Sequence, residues 1–274
     1  MPLLNLNGLT VDYMDEGTGP AVVMLHGSFI GNRQWRRLIG ELSPHFRCLA
    51  PNLLGYGQTS PWPGRRRQTL DDATAIALAV CGLADEPIRI VGHSWGGGVA
   101  LVTAHQLGPR VAELVLYEPM IGGLLAGHQR DEAAQAIEGL YAAVRTHCDA
   151  RDWTTLAQIF TDYFNGEGSW HALAPERQRA MVDQTPPNCH EWDAGMPPIT
   201  ADRLRGITAH TLVMRGSETP FVLREITEVL LQAFPQWELR EIAGAGHPGP
   251  LTHGGPVNDH IRQWFGVGAV AAKA

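Results

Sequence analysis

Five residues, Gly92-His93-Ser94-Trp95-Gly96, constrain this chain more than any others. A short apolar run, Ile88-Arg89-Ile90-Val91, precedes them. An apolar stretch from Trp95 to Leu107 follows, stopped by Gly108-Pro109. The run reads as a strand and the stretch as a helix. Reversing from strand to helix in so few residues forces strained backbone on the apex residue, Ser94. Gly92 and Gly96 carry no Cβ, so the two arms can approach closely. Ser94 Oγ then stands clear above the C-terminal edge of a sheet. The helix N-terminus beneath it supplies positive dipole and free N–H groups.

The rest of the chain keeps the same rhythm. Residues 8–15, 21–25, 46–50, 114–117, 211–214 and 238–242 read as strands. Residues 70–83, 222–234 and 256–265 read as helices. This alternation predicts βαβ crossovers and an α/β fold with a mostly parallel central sheet flanked by helices. Strand runs disappear over 121–206. There Ile137, Leu140, Tyr141 and Val144 keep helical spacing, as do Trp153, Leu156, Phe160, Tyr163 and Phe164. The expected organisation is therefore a core of residues 1–120 and 207–274, with 121–206 inserted as a helical cap. Residues 266–274 read as a frayed tail.

Composition narrows the partners. Lys and Arg total 21 against 28 Asp and Glu, a net charge of −7, which argues against nucleic acid. Arg65-Arg66-Arg67 is the only basic run and reads as a solvated loop. No stretch reaches the roughly 18 apolar residues needed to cross a bilayer. The first residues lack the basic and apolar regions of a signal peptide. Cys48, Cys81, Cys148 and Cys189 are scattered, without C-x-x-C or metal spacing. Cys48 and Cys81 fit small buried hydrophobes, and the expected setting is reduced and cytoplasmic. No H-E-x-x-H occurs, and Gly96-Gly97-Gly98 does not complete a dinucleotide fingerprint. Neither metal nor cofactor is expected. The expected partner is a small-molecule substrate, taken by a monomer or homodimer.

A serine is a weak nucleophile until a base takes its proton. With a serine at a strand–helix turn, the chain order runs Ser, acid, His. Of the 12 histidines, His247 has the right address, in the loop Gly244-Ala245-Gly246-His247-Pro248 after the strand at 238–242. His253 and His260 lie further on and read as surface or packing residues, and His93 as structural. Acyl transfer also needs an oxyanion hole of preorganised N–H donors. Trp95 N–H, next to the nucleophile, is one candidate. The other is Ser28 N–H, in His26-Gly27-Ser28-Phe29 after the strand at 21–25.

Taken together, these landmarks resemble the α/β-hydrolase superfamily. They are Leu25-His26-Gly27, Ala50-Pro51-Asn52-Leu53-Leu54-Gly55-Tyr56-Gly57, the Ser94 turn, Leu116-Tyr117-Glu118-Pro119 and Gly246-His247. Asn52 departs from the aspartate that many relatives carry there. Ser94 disfavours relatives with an aspartate nucleophile, such as epoxide hydrolases and haloalkane dehalogenases. The resemblance implies an acid after the strand at 211–214, but the expected position holds Thr219, with Glu218 one residue early. It also offers a second address at the tip of the strand after the Ser94 helix, where Glu118 stands. Glu118 is the preferred acid and Glu218 the alternative. Phe29, Trp153, Phe160 and Tyr163 are candidate substrate contacts. The implied activity is hydrolysis of a small to medium carboxylic ester. A lactonase, amidase, C–C bond hydrolase or cofactor-free perhydrolase would use the same triad. A ligand-binding signalling protein of the same fold is the alternative of another class.

Overall fold

The computed structural model describes residues 1–84 and 87–268. Of the expected tail, residues 269–274 lie outside the described residues. The strands are β1 (Leu3–Leu6), β2 (Leu9–Glu16), β3 (Ala21–Leu25), β4 (Arg47–Pro51), β5 (Ile88–His93), β6 (Val111–Tyr117), β7 (His210–Gly216) and β8 (Glu238–Ile242). They form one sheet in the order β1-β2-β4-β3-β5-β6-β7-β8. The pairs β1–β2 and β2–β4 are antiparallel, and all others are parallel. Before β6 come α1 (Arg36–Leu42), α2 (Leu70–Cys81) and α3 (Ser94–Leu107). Between β6 and β7 lie α4 (Gly123–Ala126), α5 (Asp131–Ala150), α6 (Trp153–Asn165), α7 (Ser169–Ala172), α8 (Pro175–Asp183) and α9 (Thr185–Gly195). The chain closes with α10 (Phe221–Ala233), α11 (Gly249–Thr252) and α12 (Gly254–Trp264). No helix among the described residues is long and apolar enough to cross a membrane.

Every residue of β3 is buried, as a strand covered on both faces requires. Alternate side chains feed two cores. Val23, Ile90 and Leu116 pack with α2 and α3 on one face. Val22, Val91 and Val115 pack with Leu38 of α1 and Ile261 of α12 on the other. Asp72 caps α2 by accepting from the Thr69 N–H at 2.8 Å.

The sequence reading missed β1 and α1. It also left Cys148 and Cys189 without a partner in an expected reduced setting, where the structure joins them. Cys48 and Cys81 are buried free thiols, but Cys148 of α5 and Cys189 of α9 form a disulfide. Their separation of 41 residues hides the pair from any spacing rule, and helix packing brings their Cα atoms to 6.0 Å. Such a bond is uncommon in a reducing compartment. The arginine run is tied down as well. Arg66 pairs with Asp72 at 2.7 Å and lies over the Trp62 ring.

Asn52 has a local explanation. Its Nδ2 donates to the fully buried Asp12 at 2.8 Å, and its Oδ1 accepts from Asn32 N–H at 2.8 Å. Aspartate here would set two carboxylates face to face without water. Asn52→Asp should therefore destabilise the fold by about 2 kcal/mol or more. Thermal melting at neutral pH checks this, and an unchanged midpoint would contradict it.

Candidate active site

Ser94 adopts φ +53°, the strained apex that the sequence predicts. The close approach is real at Gly96. A Cβ there would meet the Leu25 carbonyl oxygen at 2.4 Å. The turn at His26–Phe29 is equally near, since a Cβ on Gly27 would lie 3.3 Å from Ser94 Cβ. β5 and β3 are neighbours in the sheet, so the ends of both strands deliver these residues to one edge.

His247 arrives from the loop after β8. Its Nε2 accepts from Ser94 Oγ at 2.9 Å, and its Nδ1 donates to Glu118 Oε2 at 2.8 Å. The carboxylate at Nδ1 sets the tautomer that leaves Nε2 free to accept. Two contacts hold the loop. Tyr117 donates its hydroxyl to the Gly246 carbonyl at 2.8 Å, and His93 Nε2 donates to the His247 carbonyl at 3.0 Å. Burial pushes the His93 ring well below its usual pKa, so it serves as a neutral strut.

Glu118 sits at the tip of β6 with φ +42° and is wholly buried. Its other oxygen, Oε1, accepts from the Gly216 N–H of β7 at 2.7 Å. Glu218, the alternative acid, is not brought to His247. Its backbone N–H donates to the Ala245 carbonyl, and its exposed side chain accepts from Ser217 Oγ at 3.1 Å. Thr219 at the usual acid position is buried, and its hydroxyl has no partner among the described residues.

His26 supports the turn that carries Gly27 and Ser28. Its Nδ1 donates to the Gly27 carbonyl at 2.8 Å, and its Nε2 accepts from Leu53 N–H at 3.0 Å. Burial lowers its pKa from 6.5 to about 4. Unfolding therefore takes up a proton between these values. Stability should be full above pH 6.5 and decline as pH falls toward 4, by about 3 kcal/mol from this residue. Urea unfolding at pH 7.5 and 4.5 measures the loss, and equal midpoints would count against a neutral His26.

A cavity of about 350 Å³, its open mouth included, lies over Ser94. Ser28, Trp95 and Phe160 are among the residues that line it. Three other expected contacts do not. Phe29 packs its ring 4.4 Å from Phe160. Trp153 and Tyr163 are partly buried against the main hydrophobic core. Helical spacing marks which aromatics turn inward but not which of them meets an opening. The sequence reading missed Phe164, Asn188, Glu191 and Trp192 on the cavity wall. Phe164 lies 4.8 Å from the His247 ring. The last three stand at i, i+3 and i+4 of α9, a spacing that could have marked them.

A family model described as "Alpha/beta hydrolase family" matches residues 22–260. A 2-hydroxy-6-oxo-2,4-heptadienoate hydrolase of Pseudomonas putida is 25% identical over 244 residues, 88% of this chain and 87% of that protein. A soluble epoxide hydrolase of Corynebacterium is 32% identical over 123 residues, and this chain spans only 42% of its length. Among solved structures, a hydrolase from Pseudomonas aeruginosa superposes with a TM-score of 0.78 at 21% identity, over 97% of this chain and 98% of that one. A Thermogutta terrifontis esterase gives 0.74 at 22% identity, over 96% of both chains. At these identities the structures speak for the fold alone. With the family model spanning β3 to α12, the chain belongs to the alpha/beta hydrolase family.

Proposed function

We propose that this protein is a serine hydrolase of small to medium carboxylic esters. The unbroken hydrogen-bonded series Ser94–His247–Glu118 carries the reading, at 2.9 Å and 2.8 Å. Ser94 Oγ attacks the ester carbonyl while His247 Nε2 takes its proton. Glu118 holds the ring and stabilises the imidazolium. The backbone N–H groups of Ser28 and Trp95 receive the oxyanion. His247 then protonates the leaving alcohol, and water releases the acyl group by the same steps in reverse. The reaction needs no cofactor. Helices α5 to α9 act as the cap that sets which acyl group enters, because α6 and α9 supply much of the cavity wall.

The reading is tested by turnover of p-nitrophenyl esters together with labelling by a fluorophosphonate. A single stoichiometric burst without turnover would favour a ligand-binding protein. C–C bond hydrolysis is the second reading, since the Pseudomonas putida relative matches 88% of this chain. A chain that cleaved a dienoate and left esters intact would favour it.

A further inference from the structure

The turn after β3 places a strained residue beside the candidate oxyanion donor. Gly27 N–H donates to Gln34 Oε1 at 3.0 Å, and Phe29 N–H donates to the Tyr56 hydroxyl at 3.1 Å. Between them, Ser28 N–H has no partner among the described residues, as a donor reserved for an oxyanion requires. Phe29 carries φ +65°. A non-glycine residue keeps that conformation only where its surroundings fix it. Whatever fixes Phe29 therefore also sets the direction of the Ser28 N–H.

The fixing group comes from α9. Glu191 is buried there, and the Ser28 and Tyr56 hydroxyls both donate to its carboxyl. Its Oε2 accepts from Asn188 Nδ2 at 3.0 Å, and Asn188 Oδ1 accepts from Trp192 Nε1 at 3.1 Å. Three donors suit a carboxylate, which can only accept. Glu191 thus holds Ser28 through its own hydroxyl. It holds Phe29 through Tyr56, whose oxygen accepts from the Phe29 N–H while its O–H donates to the carboxyl. α9 is pressed onto this part of the molecule, since a Cβ on Gly55, next to Tyr56, would lie 2.7 Å from Pro187 Cγ. Tyr56 is wholly buried, and charge-assisted hydrogen bonds gain strength away from water.

We propose that Glu191 is a positioning residue: from α9 it clamps the Ser28–Phe29 turn so that the Ser28 N–H meets the oxyanion. The inference rests on the esterase reading above and deepens it. The inserted helices then take part in the chemical step as well as in admitting the acyl group, because one of them aims an oxyanion donor.

The test measures kcat and KM for p-nitrophenyl butyrate beside inhibition by butylboronic acid. Ser94 Oγ adds to the boron and its proton passes to His247, so a boron-bound oxygen of the anionic adduct takes the place of the oxyanion. In Glu191→Leu, kcat should fall at least about ten-fold with KM within about two-fold, and the boronate Ki should rise by the factor that kcat/KM loses. Glu191→Gln should keep kcat within about three-fold, because its amide oxygen still accepts from both hydroxyls. Tyr56→Phe should lower kcat at least about three-fold at unchanged KM. Combined with Glu191→Leu it should lower kcat little further, since both act through one turn. A folded Glu191→Leu with wild-type kcat and Ki would overturn the proposal, as would a loss confined to KM or losses that multiply in the double variant. If Glu191→Leu fails to fold, Tyr56→Phe decides by the same kcat, KM and Ki. Failure of the esterase reading looks different: the wild type itself would show neither ester turnover nor fluorophosphonate labelling, and both ideas would fall.

Discussion

Replacing Ser94 with alanine should lower kcat for a p-nitrophenyl ester by at least about 10³-fold and abolish fluorophosphonate labelling. A thousand-fold loss corresponds to about 4 kcal/mol of transition-state stabilisation. The fold should survive, because alanine and serine strain equally at φ +53°. Glycine has no such strain, so Ser94→Gly should be as inactive but more stable, by about 1 kcal/mol. Labelling of the alanine variant, or activity above about 10⁻³ of wild type, would remove Ser94 from the role of nucleophile.

The second large effect belongs to the acid. Glu118→Gln should reduce kcat by about 10²–10⁴-fold, since a neutral amide cannot stabilise the imidazolium. It should still fold, because the glutamine oxygen can accept from the Gly216 N–H as Glu118 does now. Glu218→Gln should leave kcat within about two-fold, because an exposed side chain turned toward Ser217 has no path to His247. Circular dichroism controls for folding in both. A collapsed kcat in Glu218→Gln beside a normal one in Glu118→Gln would reverse the assignment.

Much of the architecture is legible in the chain because its signals are local. The apolar run 21–25 gives β3 at its exact bounds, and Glu238–Ile242 does the same for β8. The strain at Ser94 follows from two flanking glycines. β1 escapes because Leu3-Leu4-Asn5-Leu6 is only half-buried at the sheet edge, where alternation fades. The carboxylate partner of His247 is legible only as a choice between two glutamates, for a physical reason. Which one reaches His247 depends on β6 and β7 being neighbours, so that Gly216 N–H and His247 converge on one carboxyl. That is a relation between strands far apart in sequence. The cavity wall is less legible still. Phe160 and Phe164 face it while Trp153 and Tyr163 of the same helix do not. Which of these aromatics meets the opening depends on how α6 packs against α5, α7, α8 and α9, a relation that spacing along one helix does not carry.

The Cys148–Cys189 bond closes α6, α7 and α8 into a covalent ring between β6 and β7. Closing a loop of that length removes about 4 kcal/mol of chain entropy from the unfolded state. It also changes what a protease can accomplish. The exposed turn Gly166-Glu167-Gly168 lies inside the ring and is a natural site of nicking. A single cut there opens the ring but frees nothing, because the sulfurs still join the two pieces. Limited digestion should therefore yield an intact band on a non-reducing gel and two fragments once a thiol is added. In cell extract the nicked chain would persist as one particle for as long as its surroundings stayed oxidising.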